Sequence, residues 1–405
     1  MVPTEAAFLE RICAEPENDG PRLIFADWLD ERNDPRGEFI RVQVALAQLS
    51  TGDPQRACLV ERETSLLARY HAQWSEPLKR LTGWTEFRRG LIETVNCDAH
   101  TFLARSQELF RLAPIRHIRF LDVGSSLDRL MNASPLSLLT AITIYAQHID
   151  GRLPRALVDS PHLDRLESLN IGKNRVGDRG VEAIAWSPRL RELKALDISD
   201  NMVGDGAANA LAGSSNLANL ELLQLRRNDL TRAGLGYLCA SPTLGRLRQL
   251  GMAQNHLHTP RDWTPREGGN VQLESLDMTE NGLTGDAAGV VRILPGLANL
   301  KRLDLGHNEI GNVGAEALAE WRGAGKLHFL RLTNNRIGDD GAVSLARSNY
   351  LHQLVELDLS DNPLHDPGAF AFLNGPSPPR LQRLTLPTLG LTPQIRRALA
   401  VRYSG

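Results

Sequence analysis

Asparagine recurs along the chain at an almost constant interval, and this periodicity constrains the fold more than any other feature. Successive members are 27 residues apart, with a single interval of 26 between Asn255 and Asn281. Apolar residues lie eight, five and three positions before each asparagine, as Leu300, Leu303 and Leu305 do before Asn308. The framing positions are Asn174, Asn201, Asn228, Asn255, Asn281, Asn308, Asn335 and Asn362. A period of this length predicts one supersecondary unit per repeat, stacked on its neighbours.

Each period contains the signals of one strand and one helix. Alternation of apolar and polar residues before the asparagine predicts a short strand with one buried face. The asparagine amide is then placed to satisfy backbone groups where the chain leaves the strand. A glycine follows six residues later in several repeats, after an Asp or Asn that predicts the polar cap of a helix, as Asp339 precedes Gly341. The expected class is therefore α/β, with parallel strands inside and helices outside.

The segment Leu166-x-x-Leu169-x-Ile171-x-x-Asn174 and its later copies resemble the leucine-rich repeat. The period is similar to that of the ribonuclease-inhibitor-like class. This resemblance implies a solenoid shaped as a horseshoe, with a parallel inner sheet and outer helices, and a small helical domain precedes it here. Weaker copies of the frame occur at both ends, upstream at Ile142 and downstream at Leu384.

The repeat and its flanks predict four segments. Residues 1–50 form a small helical domain, and residues 51–90 form a helical linker or N-terminal cap. Residues 91–392 form the solenoid with its 27-residue period, and residues 393–405 form a C-terminal capping helix. Degenerate coils are expected at the ends of a solenoid, because they separate the core from water.

The N-terminal segment contains the start and stop signals of several helices. Thr4 is a candidate cap for a helix from Glu5 to Glu15, Pro21 opens a second helix to Arg32, and Gly37 opens a third to Leu49. Pro54 begins further helical sequence up to about Tyr70. The residues predicted to be buried are Phe8, Leu9, Ile12, Leu23, Ile24, Trp28, Leu29, Phe39, Ile40 and Val44.

The stretch PRLIFADWLDER, from Pro21 to Arg32, is followed by DPRGEFIR, from Asp34 to Arg41. Together they resemble the repeat-companion domain, a bacterial module of the planctomycete and myxobacterial type for which the resemblance implies no chemistry. Two interpretations of its charged residues stay open. They form either a functional site or the local caps and ion pairs of a helix–turn–helix. These residues are Asp27, Asp30, Arg32, Asp34, Arg36 and Glu38.

Composition limits the possible functions. The 46 Lys and Arg against 48 Asp and Glu give a net charge of −2, which argues against nucleic acid and anionic membranes as partners. No apolar run is long enough to span a membrane, and the N-terminus lacks a signal-peptide core. The scattered cysteines Cys13, Cys58, Cys97 and Cys239 are typical of reduced thiols in the cytoplasm. No sequence motif indicates catalysis or a cofactor. For His256 and His258, a metal site and an ordinary loop remain the two interpretations.

Alternate strand residues should point to the concave face of the solenoid. One column of such residues contains the candidate partner-binding residues Asp197, Asp277, Asp304, Arg331 and Asp358, and the next column contains Arg226. Neighbouring strands lie about 4.8 Å apart, so these charges should form a row in which Arg331 partly neutralises its neighbours, with Arg302 as a further candidate. Three interpretations remain: a mildly acidic surface for a basic or polar partner segment, a solvated face, or an active site.

One coil departs from the frame. After Asn255 the helix signal is replaced by TPRDWTPREGG, whose prolines and paired glycines exclude a regular helix. Arg261, Trp263 and Arg266 are either a second partner contact or part of a degenerate coil whose tryptophan covers the gap.

The sequence therefore predicts a non-enzymatic, cytoplasmic, bacterial scaffold that binds a protein partner with its concave face. No cofactor, metal, nucleic acid or membrane is expected, and the protein is expected to be a monomer. The alternative is a regulator of a bacterial Ras-like small GTPase, because ribonuclease-inhibitor-like repeats also occur in GTPase-activating proteins of the Ran type. That alternative rests on the fold alone, and no residue here matches the catalytic arginine of those proteins.

Overall fold

The computed structural model describes residues 4–50, 53–258, 269–285, 294, 296–375 and 377–403. The chain divides into two compact units. The first comprises Met1–Gln147 and Asp159–Asn170, and the second comprises His148–Val158 and Ile171–Gly405. The boundaries predicted at residues 50 and 90 both fall inside the first unit.

Helices open the first unit, as the sequence predicts. They are α1 (Glu5–Ala14), α2 (Asp19–Asp30), α3 (Arg36–Gln48) and α4 (Pro54–Ser75). Thr4 caps α1, and its hydroxyl accepts a hydrogen bond from the Ala7 N–H at 3.4 Å. Helix α2 begins before Pro21 because Asn18 caps it, accepting from the Gly20 N–H at 2.9 Å.

The predicted buried face of α2 is wrong at two positions. Leu23 and Ile24 are exposed, with 37% and 52% of their surface accessible, whereas Arg22 is fully buried. Arg22 forms an ion pair with Glu93, which is itself almost fully buried in the following sheet. This ion pair places the Arg22 side of the helix inward and leaves Leu23 and Ile24 outside.

The rest of the first unit combines strands and helices. The further elements are β1 (Thr85–Arg88), β2 (Leu91–Cys97), α5 (Ala99–Leu112), β3 (His117–Phe120), α6 (Leu127–Met131), β4 (Ala141–Thr143) and β5 (Ser168–Asn170). Strand β1 is antiparallel to β2, and the strands from β2 to β5 then follow in parallel order.

The second unit repeats a strand and a helix in sequence order. Its elements are α7 (Arg152–Asp159, whose last residue belongs to the first unit), α8 (Gly177–Ala185), β6 (Ala195–Asp197), α9 (Asp205–Gly213), β7 (Leu222–Gln224), α10 (Arg232–Cys239), β8 (Gln249–Gly251), β9 (Ser275–Asp277), β10 (Arg302–Asp304), α11 (Gly311–Ala319), β11 (Phe329–Arg331), α12 (Asp339–Ala346), β12 (Glu356–Asp358), α13 (Asp366–Asn374), β13 (Arg383–Thr385) and α14 (Pro393–Tyr403). Consecutive strands from β6 to β13 pair in parallel. The predicted α/β fold of stacked leucine-rich repeats is confirmed.

The framing asparagines form a buried ladder along the second unit. Asn335 is fully buried, and its amide nitrogen donates to the Leu305 carbonyl of the preceding coil at 2.8 Å and to the Thr333 carbonyl at 3.2 Å. Its amide oxygen accepts from the Ile310 N–H at 3.2 Å. The same pattern recurs at Asn228, Asn255 and Asn308. Each asparagine therefore ties its own turn to the preceding coil.

Acidic residues at helix starts form a second ladder, and here the prediction needs correction. Asp339 was expected to cap its own helix, but its carboxylate accepts from the N–H groups of His365 and Gly368 at the start of the next one, at 2.9 and 3.0 Å. Asp205 does the same for Thr231 and Gly234. The glycine is required because a side chain at Gly234 would meet the Asp205 carboxylate at 2.5 Å.

Candidate protein-binding surface

The strand register places four of the predicted charged residues side by side. Asp277 pairs with Asp304, Asp304 with Arg331, and Arg331 with Asp358, each as the last residue of its strand. The middle residue of each strand is buried and the two flanking residues are at least partly accessible, as the alternation predicts.

Arg331 connects two of these carboxylates. Its Nη1 lies 3.0 Å from Asp304 Oδ2, and its Nε lies 3.6 Å from Asp358 Oδ2. The carboxyl side chains are about four-fifths covered, whereas the arginine side chain is 54% exposed. The predicted neutralisation by Arg331 thus occurs in the structure. Arg302 does not join it, because its guanidinium lies over the Phe329 ring at 4.2 Å.

The aspartates of this column share one conformation. In each, Oδ1 accepts a hydrogen bond from the N–H two residues later, from Thr279 to Asp277 at 2.9 Å and from Gly306 to Asp304 at 3.0 Å. Asp197 and Asp358 accept in the same way from Ser199 and Ser360. The turn therefore fixes one carboxylate oxygen and leaves the other for a contact outside the coil.

Asp277 differs from its neighbours in what its second oxygen meets. Asp304 and Asp358 direct theirs to Arg331, but Asp277 forms no ion pair with any residue in the part of the chain that the structure describes. Its Oδ1 also accepts from the Thr279 hydroxyl at 2.7 Å. Asp277 thus presents an oriented carboxylate whose charge no cation among the described side chains matches.

Arg226 lies at one end of a polar chain. Its Nε donates to Gln254 Oε1 at 2.9 Å, and Gln254 Nε2 donates to Glu280 Oε2 at 2.8 Å. Sequence reasoning did not select Gln254 or Glu280, because both follow the strand and fall outside its alternation. Each residue that directly precedes a framing asparagine has a positive φ, 57° at Gln254 and 53° at Glu280. The fixed offset from the asparagine is the sequence signal that could have identified them.

These side chains surround one open depression of about 490 Å³. Five of the six predicted residues line it, and Asp197 does not. Small residues such as Ala253 and Gly306 also lie in its lining. The complete lining is Arg226, Ala253, Asp277, Thr279, Glu280, Asp304, Gly306, His307, Arg331, Thr333, Asp358 and Ser360. Four carboxylates against two guanidinium groups make the depression acidic.

The other candidate sites receive less support. Arg261, Trp263 and Arg266 lie outside the described residues. His256 Nε2 is 3.5 Å from Asp229, and His258 Nδ1 is 3.1 Å from the Asn281 carbonyl. Among the residues that the structure describes, no three His, Cys, Asp or Glu side chains converge as a metal site would require.

The charged residues of the N-terminal helices pair with one another. Arg41 bridges Asp27 and Asp30, both at 2.5 Å. Arg36 pairs with Asp34 at 2.8 Å and with Glu5 at 2.6 Å. Glu38 pairs with Arg62 at 2.6 Å, and this contact lowers the pKa of the Glu38 carboxyl. Local pairing, rather than a free charged site, therefore accounts for these side chains.

The buried cysteines do not behave as nucleophiles. Burial raises the pKa of Cys239 to about 12, and burial together with the charge of Asp98 does the same for Cys97. Cys58 is exposed, and the four thiols are all free. Protonated thiols are poor nucleophiles and metal ligands, so Cys97 and Cys239 are packing residues.

His117 makes the first unit sensitive to acid. Burial, followed by the positive charge of Arg119, lowers the pKa of His117 to about 4 from 6.5, and the imidazole contacts the Thr143 hydroxyl at 2.9 Å. As the pH falls, the unfolded chain takes up a proton on His117 before the folded chain does. The free energy of unfolding should therefore be unaffected above pH 6.5 and fall by at most about 3 kcal/mol as the pH drops towards 4.

We expect urea unfolding of a His117→Gln variant to show a weaker loss between pH 7 and pH 4.5 than the unsubstituted protein. His162→Gln, at a partly buried histidine in the same unit, provides the control and should leave the loss unchanged. Equal pH dependence in the His117→Gln and unsubstituted proteins would contradict the assignment to His117.

Comparison with known proteins agrees with this architecture. The leucine-rich-repeat family model matches residues 166–185, 296–319, 326–346 and 350–373. No curated protein matches the chain. Together with the parallel strands and the asparagine ladder, these matches show that this part of the chain is built of leucine-rich repeats. Within its described part, the chain contains no helix with the length and apolarity needed to cross a bilayer.

Proposed function

We propose that this protein is a non-enzymatic, cytoplasmic scaffold that binds a partner protein through the depression around Asp277. Leucine-rich repeats typically bind proteins, and the family matches support that general role. The partner segment that fits here is basic or polar and lies extended across the strands from β7 to β12. Such a surface repels nucleic acid, because its carboxylates face any approaching phosphate.

The observation that carries the proposal is the unequal pairing of the carboxylates. Arg331 pairs with both Asp304 and Asp358, while Asp277 is oriented by Thr279 and has no cation of the described residues beside it. A Lys or Arg from the partner would supply that missing charge. Because Asp277 is held by its own turn, little side-chain entropy is lost when the partner binds.

Charge removal without loss of the turn tests the role of the depression. The triple variant Asp277→Asn, Asp304→Asn, Asp358→Asn keeps each Oδ1 acceptor and removes the charges. We expect it to bind the partner recovered from the source organism at least about tenfold more weakly, equivalent to roughly 1.4 kcal/mol. Affinity is measured by titration of the recovered partner, and binding by the unsubstituted protein should weaken as salt is added.

A matched control removes the same number of charges from the helices. Glu316→Gln, Glu320→Gln and Asp340→Asn lie on or at the end of α11 and α12, away from the depression, and should leave binding unchanged. Equal binding by the two triple variants would rule out the depression as the docking surface. Regulation of a small GTPase stays the alternative, and GTP hydrolysis by candidate GTPases, with and without this protein, tests it.

A further inference from the structure

At the outer edge of β13, backbone groups are left that no strand of the described residues pairs with. At the two ends of the preceding strand, β12, the backbone pairs with β13. The Val355 carbonyl accepts from the N–H groups of Gln382 and Arg383 at 2.9 and 3.0 Å, and the Leu359 N–H donates to the Thr385 carbonyl at 2.8 Å. One repeat later the corresponding groups are the Gln382 carbonyl and the Leu386 N–H. They point to an edge at which no strand of the described chain lies.

The leucines of this coil are less covered than their counterparts. Leu357 and Leu359 are fully buried, whereas Leu384 and Leu386, one repeat later, are partly exposed. Leu389 occupies the position of a framing asparagine and is 86% exposed. Helix α14 lies in the helix position of this coil, where the Tyr403 hydroxyl donates to the Phe372 carbonyl at 2.7 Å. The strand edge and its leucines thus remain accessible beside it.

The charged residues of the last coil itself are all basic. From Pro367 to Gly405 the sequence has no acidic residue, and its charged residues are Arg380, Arg383, Arg396, Arg397 and Arg402. Arg383 is 65% exposed and lies 3.7 Å from Glu356 of the neighbouring strand. Two copies meeting at this edge would bring like charges together, so an acidic occupant is favoured over a symmetric dimer.

We infer that the outer edge of β13 is a docking site for an extended segment of a partner protein in which leucines alternate with acidic residues. The segment adds a strand through backbone hydrogen bonds, covers Leu384 and Leu386, and places a carboxylate beside Arg383. Strand β12 already shows this arrangement on the other edge, with Glu356 beside Arg383. This site is separate from the depression around Asp277 and does not depend on the function proposed for it.

A peptide with the sequence of residues 354–362 is the probe, because it combines the leucine frame with Glu356, Asp358 and Asp361. It is labelled with fluorescein and titrated with the full chain at low salt. The comparison peptide carries lysine at the three acidic positions. We expect the acidic peptide to bind at least about tenfold more tightly, and the preference to shrink as salt is added.

Substitutions in the protein locate the binding. Arg383→Glu should reverse the preference between the two peptides, whereas Arg347→Glu, at an exposed arginine that follows α12, should leave it unchanged. The Asp277, Asp304 and Asp358 triple variant should bind the acidic peptide normally. Circular dichroism checks that each variant is folded.

The docking site would be overturned if neither peptide bound, or if Arg383→Glu left the preference intact. Sedimentation velocity tests whether a second copy of the chain, rather than a partner segment, occupies this edge. A dimer of the full chain that the acidic peptide dissociates would place a second copy at this edge and overturn the assignment to a partner segment.

Discussion

Replacement of Asn335 by alanine is expected to destabilise the second unit by about 3–5 kcal/mol. The substitution leaves the Ile310 N–H without its acceptor and removes one of the two donors to each of the Leu305 and Thr333 carbonyls, which keep the Asn308 amide and the His307 N–H. Asn335 is fully buried, so water does not replace these bonds; the unsatisfied N–H costs about 1–3 kcal/mol and each of the two lost hydrogen bonds about 0.5–1.5 kcal/mol. Urea unfolding followed by circular dichroism measures the loss, and amide exchange should accelerate first in β10 to β12.

Asn299→Ala is the matched control, because it removes the same side chain from an accessible position. Asn299 donates to Gln272 at 2.9 Å and accepts from Lys326, and both bonds are open to solvent. Its loss should cost less than about 1 kcal/mol. Equal destabilisation by the two substitutions would show that the asparagine ladder does not hold the coils together.

The sequence predicted this ladder because its signal is periodic. A side chain that must bond to both its own turn and the preceding coil is required again in every repeat, so Asn201, Asn228 and the others recur in one frame. The strands follow from the same frame, since Leu303 and its equivalents must be buried at a fixed distance from the asparagine. Periodic constraints of this kind can be detected in a single sequence.

Contacts that depend on one pair of distant residues were not predictable in this way. Burial of Arg22 depends on Glu93, which lies 71 residues later, and without that partner Leu23 and Ile24 are the natural choice for the buried face. Likewise, the capping of the next helix by Asp205 needs the spacing between neighbouring helices. The row Asp304, Arg331 and Asp358 was predicted because strand register alone determines it.

Replacement of Arg22 by alanine should destabilise the first unit by about 3–5 kcal/mol, because it leaves the Glu93 carboxylate buried without its closest cation. Both side chains are almost completely buried, and Arg22 Nη1 also donates to the Pro16 carbonyl at 2.7 Å. Arg89, the next cation, lies 3.6 Å from Glu93. Arg105→Ala, in an exposed pair with Glu108, is the control and should cost at most about 1 kcal/mol.

The pH dependence separates an unpaired charge from a simple loss of packing. Burial already raises the pKa of Glu93 despite Arg22, and removal of Arg22 should raise it further. The Glu93 carboxyl then loses its proton at a lower pH in the unfolded chain than in the folded one, so the free energy of unfolding falls as the pH rises. Arg22→Ala should therefore destabilise the protein more at pH 7.5 than at pH 5. The apolar pair Arg22→Met with Glu93→Leu should recover most of the loss, because it removes both charges of the buried pair while Arg89 keeps Glu17 and Asp19 as partners. A pH-independent defect that the apolar pair did not reduce would mean that Arg22 acts by filling space alone.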